Sequence, residues 1–266
     1  MRGAERDAVL FRLAGGFELA PGNGEGWPEN APAPGVLVAA YETLGYDAGQ
    51  LTAVESARLS KAGVRPPRNW LPADTLRVQG LPLHGGGAVA VLLLPELSPP
   101  AAEEELLARA AKAVDKAVRE AQRTARLVIA VSPWGMAAEQ TFLERQERAK
   151  AALPDILLGA GPGPGFAGRI AAGGRTLWLR AAGRGRAVNR VDVLAWPERA
   201  KGFAWGEGVN IVFGLQGLDE SIADDDAVAR LLDAAAEASQ IQAQGGHDAV
   251  PRRVYRVGDP FQERSR

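Results

Sequence analysis

Leu127-Val128-Ile129-Ala130-Val131-Ser132-Pro133-Trp134-Gly135 decides the fold of this chain. An apolar run this short, rich in β-branched residues, reads as a strand buried on both faces. Pro133 and Gly135 then stop it. Ala88 to Leu94 is a second such run upstream, led in by Gly85-Gly86-Gly87 and closed by Pro95. Asp155-Ile156-Leu157-Leu158 is a third, downstream. Helical segments separate them, over 101–125 and 139–152. Glu103, Glu104 and Glu105 suit the positive end of the first helix. Its Leu106, Ala110, Val114, Ala117 and Ala121 recur at spacings of three and four, a narrow small-residue face suited to a sheet. Strand–helix–strand alternation predicts an α/β domain in which the strands ending at Ser132 and Leu158 run parallel.

Further out, Val9 to Leu13 predicts a strand ending at Ala14-Gly15-Gly16, and 21–35 a loop. Helices follow over Val36 to Leu44 and about Glu55 to Ala62, stopped by Gly45 and Gly63, then a strand near Leu76 to Val78. On the C-terminal side, Thr176 to Arg180, Val188 to Leu194 and Asn210 to Leu215 read as strands without helices between them, so part of the sheet should be antiparallel. Asp224 to Gln244 is helical, with Asp224, Asp225 and Asp226 at its start and Gly245-Gly246 at its end. The expected organisation is one domain over 1–245 and a charged C-terminal tail over 246–266. Sites in open α/β sheets lie at the carboxyl ends of strands. That directs attention to Gly15-Gly16, Ser132-Pro133-Trp134 and Gly159-Ala160-Gly161.

Composition narrows the chemistry. The 266 residues are 46% hydrophobic and 24% charged, an ordinary globular balance, with a formal net charge of -1. No global field therefore recruits nucleic acid or an acidic membrane. There is no cysteine, so thiolate nucleophiles, thiolate metal sites and disulfides are excluded. His84 and His247, the two histidines, lie in unrelated segments and read as surface residues. No stretch approaches the roughly 20 apolar residues of a membrane span. Residues 1–7 are charged and lack the apolar region of a signal peptide.

Three signals invite a functional reading. Gly159-Ala160-Gly161-Pro162-Gly163-Pro164-Gly165 suggests a phosphate loop, yet it lacks Gly-Lys-Ser/Thr and its prolines remove backbone donors. It reads as a structural loop. Arg169, Arg175, Arg180, Arg184, Arg186 and Arg190, with Trp178 among them, suggest an anion or single-strand surface. Solvated strand ends are the plainer reading. Ser132 sits at a strand end without the histidine a serine nucleophile requires.

The ordered set of segments resembles the metallophosphatase domain of the 5'-nucleotidases, within the calcineurin-like phosphoesterases. Leu13-Ala14-Gly15-Gly16-Phe17 looks like D-A-G-D-F. Leu44-Gly45-Tyr46-Asp47-Ala48, then Leu51-Thr52-Ala53-Val54-Glu55, looks like L-G-Y-D-A followed by L-G-N-H-E. Val128 to Gly135 looks like V-I-V-L-S-H-x-G, and Pro154 to Gly163 like P-D-I-I-L-G-G-H-x-H. The resemblance implies a four-layer α/β/β/α sandwich with mixed sheets. It also implies that Gly16, Ala53, Val54, Glu55, Pro133, Trp134, Gly161 and Gly163 gather in one region, where the family holds two metal ions.

At those positions the family has Asp, Asn and His, which donate lone pairs to a cation. Here Gly16 stands for the bridging Asp, Ala53-Val54 for Asn-His, and Pro133, Gly161 and Gly163 for later histidines. Only Glu55 keeps a carboxylate, and Trp134 beside Pro133 reads as a core plug or a pocket wall. The family's D-x-H strand would precede Met1, and its C-terminal substrate-binding domain finds no counterpart after Gly245. The expectation is an inactive phosphoesterase-like domain, a binding or structural module with no metal, no cofactor and no catalytic residue. Its partner would be a protein or a small anionic ligand. The alternatives are a hydrolase with a rebuilt site and a non-catalytic binder of an anionic small molecule. No compartment follows from the residues; the resemblance admits a periplasmic or extracellular one.

Overall fold

A computed structural model describes residues 9–19, 32–98, 103–182, 186–199 and 202–245. In chain order its elements are β1 (Leu13–Ala14), α1 (Pro34–Leu44), β2 (Ala48–Leu51), α2 (Ala53–Lys61), β3 (Trp70–Pro72), β4 (Arg77–Pro82), β5 (Ala88–Leu93) and α3 (Glu103–Ala121). They continue with β6 (Leu127–Ser132), α4 (Met136–Arg148), β7 (Ile156–Gly159), β8 (Phe166–Ala171), β9 (Thr176–Arg180), β10 (Ala187–Val193), β11 (Ile211–Gly217) and α5 (Asp226–Gly245). The expected tail, with His247, lies outside the described residues, as does Arg184.

The main sheet has six strands in the order β4-β5-β6-β7-β9-β8. Its centre is parallel and both outer pairs are antiparallel, so the sheet is mixed. Ser132 pairs with Gly159 in the parallel β6–β7 ladder, as the apolar runs predict. On one face, Leu92, Val128, Ala130, Leu157 and Trp178 meet Val114 and Val118 of α3 and Phe142 of α4. The buried face of α3 keeps the expected Ala110, Val114 and Ala121 and adds Leu107, Ala111 and Val118, with Leu107 rather than Leu106 turned inward. Each large aliphatic side chain buried here contributes about 1.5–3 kcal/mol.

On the other face, Val91, Val131, Leu177 and Leu179 meet two smaller sheets. One is the parallel trio β1-β2-β3; the other is the antiparallel hairpin β10-β11. A third apolar cluster joins β1–β3 to α1 and α2 through Leu51, Trp70, Val38 and Leu59, and α5 packs on α1. The layers are therefore helices, sheet, paired small sheets, helices: the four-layer α/β/β/α sandwich.

Local chemistry explains the helix ends. Pro34 pre-sets the start of α1, and Gly45, at φ 66°, closes it in the left-handed region. Thr52 and Glu55 form a reciprocal capping box on α2. Three strands escape the sequence reading. β2 (Ala-Gly-Gln-Leu) has no β-branched residue, β3 contains a proline, and β8 carries an irregularity in register between Phe166 and Arg169.

Candidate functional site

The carboxyl ends of β1, β6, β7 and β9 converge on the loop after β7. Ala160 N–H donates to Ser132 O, and Gly135 N–H donates back to Ala160 O at 3.0 Å. Met136 N–H donates to Pro162 O. The fit permits no side chain at Gly161: a methyl group there would stand 2.7 Å from Pro133 O and 3.1 Å from the Phe17 ring. Gly163 would meet Met136 Cβ at 2.7 Å, and Gly15 the Ala160 methyl at 3.1 Å. Gly16 lies against Gln50 O and Thr52 Cγ2, both 3.7 Å from such a methyl. Gly16, Pro133, Gly161 and Gly163 thus share one small region, with Ala53 at its edge next to Thr52.

Three other expected residues point elsewhere. Val54 is 67% exposed on the outside of α2. Trp134 turns into the core, edge-on to Phe142, and its Nε1–H donates to Pro95 O at 2.6 Å. It is a plug rather than a pocket wall. Glu55 is fully buried, and its carboxylate accepts from Leu19 N–H, Thr52 N–H and the Thr52 hydroxyl. All of its visible partners belong to the folding of the β1–α1 and β2–α2 connections.

The charged centre of this region is a pair that the sequence reading missed. Arg180, at the end of β9, and Glu139, in the first turn of α4, are both buried and form a salt bridge at 2.5 Å. Glu139 Oε2 also accepts from Trp178 Nε1–H. Every nitrogen of the guanidinium donates: Nη1 to Glu139, Nη2 to the carbonyls of Ala160, Gly161 and Pro162, Nε to Pro164 O. The glycine-rich loop therefore turns its carbonyls inward around a cation. A phosphate loop would turn N–H groups inward instead. Burial pushes the Glu139 carboxyl above its ordinary range, against the pull of Arg180 and Trp178. Arg180 is hence not a solvated strand end, which corrects the reading of the arginine segment at this position. Arg169 stacks over Phe166 and Trp178, Arg175 binds the carbonyls of Ala151 and Ala172, and Arg190 pairs with Asp192. The sequence carries one signal for Arg180: it closes the otherwise apolar run Leu177-Trp178-Leu179.

A second acidic group lies on the α2 side. Glu18 Oε1 accepts from Gly15 N–H at 2.7 Å, while its buried Oε2 has no hydrogen-bond partner among the described residues. Burial and then the Glu55 charge push the Glu18 carboxyl up to about 8. The residue keeps some exposure, but its carboxyl end is enclosed. Among the described residues no group of three or more His, Asp or Glu side chains could hold a metal ion. The donor set does not fit the two-metal centre that the resemblance implies.

No family model and no curated protein matches the chain. Solved structures do. One is a crystal structure of a candidate 5'-nucleotidase from Staphylococcus aureus in complex with α-ketoglutarate, at TM-score 0.54 and 15% identity, covering 85% of this chain and 49% of that one. The other is the calcineurin-like phosphoesterase YfkN from Bacillus subtilis, at TM-score 0.57 and 12% identity, covering 88% of this chain and 85% of that one. The chain spans about half the length of the first. No helix among the described residues is long and apolar enough to cross a membrane. These likenesses show the fold: the chain has the calcineurin-like phosphoesterase fold.

Proposed function

We propose that this chain is a catalytically inactive phosphoesterase-like domain, one domain over 1–245, that serves as a binding or structural module. The carrying observation is Arg180. At the strand ends that converge on the loop after β7, the buried cation is a guanidinium held by a carboxylate and four loop carbonyls. A divalent ion placed there would lose the carbonyls to Arg180 and face its positive charge. The positions that the resemblance marks as ligand sites offer Gly16, Ala53, Val54, Pro133, Gly161 and Gly163, none of which has a side-chain donor. Glu55, the remaining carboxylate, is engaged in capping α2 and anchoring Leu19. Two-metal hydrolysis needs ligands holding ions about 3.5–4 Å apart, and one carboxylate does not supply them.

The test is hydrolysis. Purified protein with manganese, zinc or magnesium is assayed against 5'-nucleotides and a generic phosphate monoester. Release of phosphate should match a blank without protein. Turnover that is abolished by a chelator, and again by Glu55→Ala, would establish a rebuilt metal site instead.

A further inference from the structure

The segment Gly15–Leu19 is built as a clip. Phe17 holds φ at 72°, a region that a bulky side chain enters only under strain. Its ring edge lies against Gly161, over the loop that Arg180 gathers. Two carboxylates pin the strained turn: Glu18 Oε1 takes Gly15 N–H, and Glu55 Oε1 takes Leu19 N–H at 2.6 Å. Arg58 from α2 adds a hydrogen bond to Leu19 O. The weak point is Glu18. Its second oxygen is buried without a partner, and it makes no salt bridge among the described residues. An ionised carboxylate so placed, beside a second carboxylate, is costly; a protonated one is not.

We propose that Gly15–Leu19 is a proton-operated clip, closed over the Gly161 loop while Glu18 carries a proton and released when Glu18 ionises. The groups around it are Glu55 and Arg58 from α2, Tyr41 from α1, Tyr46 beyond it, and Arg12 before β1. Burial raises both tyrosines, so they stay neutral over the range concerned. Glu55 repels the ionised form. In the closed state Glu18 titrates near 8, against 4.5 for a solvated glutamate. The closed form therefore binds its proton more tightly than the open one. Closure is complete below about 4.5 and weakens as pH rises toward about 8. Released, the clip uncovers Gly161 and the end of β6. The switch holds whether or not that region turns over a substrate, so its failure leaves the proposed function standing, and the reverse.

Amide hydrogen exchange on the full chain tests it, with rates corrected for intrinsic chemistry and Val91 in the central sheet as reference. Protection at Leu19 relative to Val91 should fall roughly tenfold per pH unit between pH 5 and 8, then level off. Glu18→Gln should stay protected with no slope. Glu55→Gln removes the facing charge and also one of two acceptor oxygens, so it lowers protection at every pH; its readout is the pH at which the plateau begins, which should move lower. A flat wild-type profile overturns the clip, as does an unchanged slope in Glu18→Gln. If Glu18→Gln does not fold, an unmoved plateau in Glu55→Gln overturns it.

Discussion

Two glutamates with enclosed carboxyl groups stand near the same strand ends and behave in opposite ways. Glu139 and Glu18 each have one oxygen engaged and one without a partner. Glu139 faces Arg180, a planar cation whose remaining donors are consumed by four carbonyls. Glu18 faces another carboxylate and has no salt-bridge partner among the described residues. The first region is therefore a locked ionic knot that holds the loop after β7. The second is a carboxyl driven toward its neutral form by its surroundings. What separates them is the presence of one guanidinium, not the depth of burial.

The strongest way to break that contrast is to remove the cation. Arg180→Ala should cost about 3–5 kcal/mol in denaturant unfolding, because it strands a buried carboxylate and several carbonyls. Arg180→Lys should recover part of this, since an ammonium cannot reach all the fork's acceptors. A cost below about 1 kcal/mol for Arg180→Ala would mean the knot is not what holds this loop. Trp134→Ala should cost about 3–5 kcal/mol, the range for a large aromatic truncated in a core. A loss that small substitutions elsewhere on the surface match would instead place Trp134 at a pocket wall. Gly161→Ala sharpens the comparison on the backbone side. With φ at 75° and Pro133 O 2.7 Å from the added methyl, it should cost about 1–3 kcal/mol. At the small end, Val54→Ser should change stability by less than about 0.5 kcal/mol, as its side chain is solvated.

The central sheet was legible because β5, β6 and β7 are apolar runs of strand length broken by proline, glycine and helices. β1 was legible only as the end of the Val9 to Leu13 run, and the glycine-bearing β2 and proline-bearing β3 were not legible, since their pairing with each other and with β1 comes from tertiary context rather than from propensity. The segments of the site could be ordered by resemblance, which placed Gly16, Pro133 and Gly161 side by side in expectation. Side-chain direction could not be read that way. Nothing in Pro133-Trp134-Gly135 tells that the indole turns inward to Pro95, and nothing in Ala53-Val54-Glu55 tells that Val54 faces water. The Arg180–Glu139 pair spans 41 residues of sequence and exists only once β9 and α4 are packed. One arginine among the six of that segment, Arg180, read as surface charge, and its strand is buried throughout.

On our proposal a guanidinium, rather than a metal centre, is the resident cation of this phosphoesterase-like fold. Thermal unfolding of the wild-type protein against manganese, zinc and magnesium tests it most directly, because a ligand that binds the native state must raise Tm with concentration. Tm should not rise as each metal is titrated to millimolar concentration, and elemental analysis of the purified chain should find no stoichiometric metal. A saturable rise in Tm, reversed by a chelator and lost in Glu55→Ala, would contradict it.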